Sequence, residues 1–256
     1  MNKKWLIIPE YERLQESVAL AAKYGASFEY NDFCNPSVYE NTQEIEERLR
    51  VYSGLDRDRS EDTMHGLFLD VLFASSDSVI RKRSRELIEL SFSIAGRLGV
   101  KGVVFHTGIL ADLQLPSYIN PWLEAAESFW REMAEKYGNM DIYMENTFEK
   151  NPDILLSLKE RLWDCNNFKL CLDYGHACLT SEPIDNWVKK MAKYVGHMHL
   201  NDNDLNADLH GVPGEGRIDW GQCRQLLETY QVHCPILLEL NGVEQQKRAL
   251  EYMSRV

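Results

Sequence analysis

The amino-acid sequence predicts an α/β protein: a single domain over residues 1–256, folded as a (β/α)8 barrel. Three observations predict it. Short β-rich apolar runs alternate with longer helix-like segments from end to end. The length, 256 residues, matches the roughly 250 that one such barrel takes. No long linker and no second composition regime divides the chain. A doubly wound open sheet is the runner-up. Against it, no Gly-rich dinucleotide fingerprint follows the first strand, and no P-loop pattern occurs.

The elements follow in order. Trp5–Ile8 is a strand, and a helix from about Glu12 to Tyr24 stops at Gly25. Ser27–Asn31 is the second strand, before a Glu- and Arg-rich helix at Thr42–Tyr52 that Gly54 ends. Asp62–Gly66 is strand three. Leu67–Phe73 reads as an apolar loop, and Ser78–Leu98 as a long amphipathic helix ended by Gly99. Lys101–Thr107 is strand four, followed by a helix from about Tyr118 to Tyr137. Asp141–Glu145 is strand five, and the next helix, Pro152–Leu162, has Pro near its start, where Pro is tolerated. Phe168–Asp173 is strand six, with a helix near Pro183–Lys193. Tyr194–Leu200 is strand seven, with a helix at Asp219–Tyr230. Pro235–Glu239 is strand eight, and Val243–Met253 the closing helix.

Composition narrows the function. The chain carries 28 basic and 40 acidic residues, a net −12, which disfavours nucleic acid as partner because phosphates need Lys and Arg. The apolar run in MNKKWLIIPE is too short for a secretory signal, and no stretch approaches a membrane span. The six cysteines show no Cys-x-x-Cys pair, so they read as reduced thiols of a cytoplasmic protein, several in core positions.

The chemical residues fall in a pattern. Barrels of this kind place their active sites at the C-terminal ends of the strands. His65 lies at the end of strand three, His106 of strand four, Glu145 of strand five and Asp173 of strand six, with His176 three residues on. His199 is late in strand seven, on the same face as His197 because strand side chains alternate. Asp208 and His210 form a second pair two residues apart in the following loop, and Glu239 ends strand eight. Of the seven histidines only His233 falls elsewhere. Imidazoles and carboxylates this dense suit divalent transition metals, and buried carboxylates preceded by apolar residues need such a partner.

The segments TMHGLFLDV, LGVKGVVFHTG, IYMENT, LCLDYGHA, HMHLNDND, DLHGVPGEGRIDW and LLELNG make the chain resemble the xylose-isomerase-like TIM-barrel superfamily. That superfamily includes sugar-phosphate isomerases and epimerases and endonuclease IV. The likeness runs from strand three to strand eight; the first two strands carry little of it. The resemblance implies a metal site at Glu145, Asp173, His199 and Glu239, with the two glutamates as acid/base pair. Likeness to endonuclease IV implies two further sites, at His65, His106 and a bridging Glu145, and at His176, Asp208 and His210. The expected cofactor is therefore one to three divalent ions, zinc or manganese.

Two chemistries fit this rim. One is isomerisation or epimerisation of a small sugar, polyol or sugar phosphate. Here Glu145 and Glu239 exchange protons with the carbon beside a carbonyl, and His176 orients a substrate oxygen. The other is phosphoester hydrolysis at a two- or three-metal centre. DNA is disfavoured as its substrate, because the loop Asn31–Asn41 has Asp32 and Glu40 but no Lys or Arg. A metal-stabilised binding protein fits less well, since structural zinc sites are usually closed by Cys and His. The sequence favours the isomerase or epimerase, with a small-molecule substrate; pairing of two copies is left open.

Other residues have plainer readings. Asn146 and Asn201 stand beside expected ligands and would orient them. Leu67–Phe73 reads as packing over the rim rather than a lid. Arg81 and Arg83 read as partners of Asp77 or Glu86 rather than phosphate binders. Gly211, Gly214 and Gly216 are turn residues, and Glu215 either holds their loop or binds hydroxyls. Trp5, Phe28 and Tyr30 are assigned to the core rather than to sugar stacking.

Overall fold

The computed structural model describes residues 4–113 and 115–255, so Lys3 of the N-terminal lysine pair lies outside them. Eight strands close into a parallel barrel in chain order, β1 to β8, with helices between successive strands. The strands are β1 Trp5–Ile7, β2 Ser27–Tyr30, β3 Thr63–His65, β4 Gly102–His106, β5 Asp141–Glu145, β6 Phe168–Asp173, β7 Val195–Leu200 and β8 Ile236–Leu238. The helices up to β5 are α1 Leu14–Tyr24, α2 Pro36–Tyr39, α3 Thr42–Ser53, α4 Ser78–Leu98 and α5 Pro116–Lys136. Those after it are α6 Asp153–Arg161, α7 Tyr174–Cys178, α8 Ile184–Met191, α9 Trp220–Thr229 and α10 Val243–Met253.

Two short helices were not expected from periodicity. In α2 the Asn35 side chain caps Ser37 N and Pro36 takes the first turn, where its missing N–H costs nothing. In α7 the Asp173 carboxylate accepts from His176 N at 2.6 Å. Five residues are too few for a 3.6-residue period to show. No described helix is long and apolar enough to cross a membrane. None of the six cysteines, all among the described residues, forms a disulfide, and four of them are buried.

The chain divides into two compact units. The first holds Met1–Glu29, Glu145–Leu156 and Lys169–Val256. Within it β1 pairs with both β2 and β8, and β7 pairs with β6 and β8. The register sets Asp173 beside His199, and Cys171 beside His197 one layer deeper. His197 therefore lies inside the barrel, fully buried, which corrects its expected place on the rim. Alternation alone fixes a face and not a depth.

The second unit holds Tyr30–Met144 and Ser157–Phe168. Here β3 pairs with β4 so that His65 stands opposite Val104, two residues before His106. The core centres on Trp130, which meets Phe73, Phe105, Phe129 and Phe168. Phe73 stacks on Phe129 at 5.1 Å, and Leu67 and Val71 are buried with it. The apolar loop is packing at these positions, while Leu69 and Leu72 face solvent. Tyr30 and Phe28, each in its own unit, are wholly buried, as core residues should be.

Candidate metal centre

The primary set lies within the first unit. Glu145 ends β5, Asp173 ends β6, His199 is the last residue but one of β7, and Glu239 follows β8 by one residue. Their relative exposures are 1%, 0%, 0% and 8%. One donor atom from each lies within 4.8 Å of the others. His199 Nδ1 stands 3.1 Å from Glu145 Oε1 and 3.3 Å from Glu239 Oε2.

Asparagines lock this arrangement. Asn146 Nδ2 donates to Asp173 O at 2.9 Å and its Oδ1 accepts from Asp173 N at 2.9 Å. That reciprocal pair fixes the backbone of Asp173. Asn201 Nδ2 donates to Asp173 Oδ2 at 3.0 Å and orients the carboxylate. Asn146 thus acts on the backbone of Asp173 and Asn201 on its side chain.

The electrostatics show what the set lacks. Burial pushes the Asp173 carboxyl up to about 7, with Glu239 and Glu145 adding to it. Burial also works against the charge on Glu239, but His199 beside it holds that carboxyl down at about 2. His199 itself is raised well above its usual value: burial opposes its charge and the surrounding acidic groups override it. Three buried carboxylates thus draw protons onto the imidazole in their midst. A divalent ion supplies that charge without protons. Bonds of about 2.0–2.2 Å to a tetrahedral ion set its donors roughly 3.3–3.6 Å apart, close to the 3.1 and 3.3 Å that separate His199 Nδ1 from the two glutamates. The donor set fits such an ion.

A second set lies beside it in the same unit. Asp208 Oδ2 is 3.2 Å from both His176 Nε2 and His210 Nε2. His176 Nδ1 donates to Asn146 O at 2.9 Å, and His210 Nδ1 to Glu239 O at 3.1 Å. Each ring thereby turns Nε2 toward Asp208, the arrangement that readies an imidazole for a metal. Burial opposes protonation of His210, but the Asp208 hydrogen bond and the nearby carboxylates push it up to about 9.

Asp202 builds the loop that carries Asp208 and His210. Its Oδ2 accepts from Gly214 N, Gly216 N and Trp220 Nε1 at 2.8, 3.1 and 2.9 Å. Its Oδ1 accepts from Asn203 N and Ile218 N at 2.9 and 3.1 Å. A Cβ at Gly216 would collide with the Asp202 carboxylate, and Gly214 has φ +88°. The glycines therefore serve the loop's geometry. Glu215 pairs with Arg248, at 2.9 Å, rather than facing the site. Arg83 pairs with Glu86 at 3.6 Å, while Arg81 donates to Ser75 O and Ser76 O instead of to an acid.

In the second unit His65 and His106 come together, Nε2 to Nε2, at 3.2 Å. Phe68 lies against both rings, and Cys34 Sγ donates to Gly66 O at 3.1 Å. Sequence reasoning missed Glu29, in the first unit. It is wholly buried, with Oε2 2.9 Å from His197 Nε2 and Oε1 3.2 Å from His199 Nε2. The one available signal was a glutamate inside the apolar strand SFEY.

The family described as xylose isomerase-like TIM barrel matches residues 18–256. A fructoselysine 3-epimerase of Escherichia coli O157:H7 is 26% identical over 177 residues, 63% of this chain and 61% of that protein. A protein named "Probable endonuclease 4" from Mycobacterium leprae is 28% identical over 159 residues, 57% of this chain and 60% of its own. The chain thus spans about three fifths of these two relatives. The crystal structure of a D-tagatose 3-epimerase-like protein superposes with a TM-score of 0.77 at 22% identity, covering 98% of this chain and 96% of that one. That likeness is one of fold.

Proposed function

We propose that this chain, which belongs to the xylose isomerase-like TIM-barrel family, is a metal-dependent isomerase or epimerase of a small sugar, polyol or sugar phosphate. The observation that carries the reading is the placement of two glutamate carboxylates, Glu145 and Glu239, around one imidazole nitrogen with Asp173 alongside. Glu145, Asp173, His199 and Glu239 would hold the ion. When bound, the ion polarises a substrate carbonyl and makes the neighbouring C–H acidic. Glu145 and Glu239 come from β5 and from the end of β8, so they reach a substrate from different sides. One takes the proton and the other returns it, which inverts or relocates the centre. His176, whose Nδ1 is anchored on Asn146 O, turns Nε2 toward a substrate oxygen. The fructoselysine 3-epimerase and D-tagatose 3-epimerase-like relatives make ketoses and their phosphates the substrates to try first.

The test is turnover of a ketose panel in deuterium oxide with manganese, cobalt, zinc or magnesium added. The wild type should epimerise or isomerise one of them and take up solvent deuterium at the reacting carbon. Glu145→Gln and Glu239→Gln should abolish both and leave the circular dichroism unchanged. A fully active Glu145→Gln variant sinks the reading.

One observation favours a second reading, phosphoester hydrolysis at a multinuclear centre: His176, Asp208 and His210 assemble into a complete extra donor set, and an endonuclease 4 is among the relatives. Elemental analysis separates the two. Close to one ion per chain supports the isomerase, and close to three zinc ions the hydrolase. Replacing His210 with Ala should spare the first activity and abolish the second.

A further inference from the structure

Glu29 is the last residue of the first segment of its unit, and no solvent reaches it. A carboxylate so placed costs several kcal/mol unless charged or polar partners satisfy it. Its partners are two imidazoles of β7, and one of them belongs to the primary metal set. The rings of His197 and His199 meet edge to face, 5.2 Å between centroids, stacked along one face of the strand.

A neutral imidazole has one N–H, so whichever nitrogen carries it decides which can bind a metal. His176 and His210 spend Nδ1 on backbone carbonyls and offer Nε2. His199 is arranged the opposite way. Its Nδ1 lies between Glu145 and Glu239, and its Nε2 points down to Glu29 Oε1. For Nδ1 to offer a lone pair, the proton must sit on Nε2, and in this dry interior it needs an acceptor. Glu29 Oε1, 3.2 Å from that nitrogen, is placed to accept it, and His197 Nε2 donates at 2.9 Å to the other oxygen, Oε2.

We propose that Glu29, held in place by His197, is a positioning residue: it fixes the tautomer and orientation in which His199 presents Nδ1 to the ion. The inference rests on the metal reading above. A carboxylate rather than a carbonyl behind the ligand also makes the imidazole a stronger donor. Because the pair lies one layer beneath the ligands, on β2 and β7, it acts through His199 and does not reach substrate.

The test is a titration of metal-free protein with Co2+ against a competing chelator, followed by visible absorption. It is run in a His210→Ala background to silence the neighbouring donor set, with thermal melts of the metal-free proteins alongside. Glu29→Gln should weaken Co2+ about 10–100-fold and shift the d–d bands, as loss of a ligand's carboxylate support does. His197→Gln, which leaves the carboxylate but releases it, should weaken Co2+ in the same direction and by less. A purely structural role predicts lower melting points with Co2+ affinity and spectrum unchanged, and that result overturns the proposal. If Glu29→Gln does not fold, His197→Gln decides alone, and unchanged affinity in it overturns the proposal equally. Failure of the Glu29-intact protein to bind Co2+ is a different outcome, and it refutes the metal reading itself.

Discussion

Replacing Asp202 with Asn removes one charge and one acceptor from a side chain that five donors surround. Asn keeps a single oxygen. Turned to serve Gly214, Gly216 and Trp220, it presents its NH2 group to the N–H groups of Asn203 and Ile218. Turned the other way, it fails three donors instead of two. Hydrogen bonds to a charged group contribute about 1.5–3 kcal/mol each, so losing two costs about 3–6 kcal/mol. The backbone bridge between Asp202 and Gly211, 2.7 Å in both directions, remains and keeps the loop's base closed. In a domain this size each kcal/mol moves the melting point by about 2–4 °C, and calorimetry should show a fall of at least about 6 °C. Asp208 and His210 ride on this loop, so the variant should also lose whatever metal that pair binds while the primary set keeps its own. A melting point within about 2 °C of wild type, with full metal content, would refute the reasoning.

Three further outcomes are expected. Metal at a hundred to a thousand times its Kd should stabilise the protein by about 2.7–4.1 kcal/mol, and a chelator should reverse the gain in a thermal melt. His210 has a folded-state value raised to about 9, so the stability it contributes is full below its unfolded value of about 6.5 and fades as pH rises through 9. Urea titrations of metal-free protein between those limits should show that loss, diminished in His210→Gln. Trp130→Ala opens a cavity among Phe73, Phe105, Phe129 and Phe168, and should cost about 3–5 kcal/mol in urea unfolding, with metal affinity of the folded protein unchanged.

Local periodicity made much of this protein legible. Alternation of short apolar runs with amphipathic segments repeats eight times, and the closed barrel follows from it. The rule that barrel chemistry sits at strand C-termini placed Glu145, Asp173, His199 and Glu239 on the rim with five other such side chains, the family resemblance grouped these four, and the structure brings them together. Asp208 and His210 were legible as a pair because residues two apart in a loop cannot stray far from each other. The order of the strands in space is a property of the sheet, so the partners that cross it were not legible. Glu29 meets His197 across 168 residues of sequence, and nothing near either residue announces the other. Depth was hidden for the same reason: His197 and His199 share a face by a period of two, yet register with β6 puts one at the rim and the other beneath it. Nothing in the sequence singled out Asp202, and its role emerged only once the backbone folded five donors onto its carboxylate. Sequence determined which residues stand at the mouth of the barrel, because that depends on local alternation. Tertiary structure alone decided which of them are held, by what and at which nitrogen, because those hydrogen bonds join segments that only strand register and loop closure bring together.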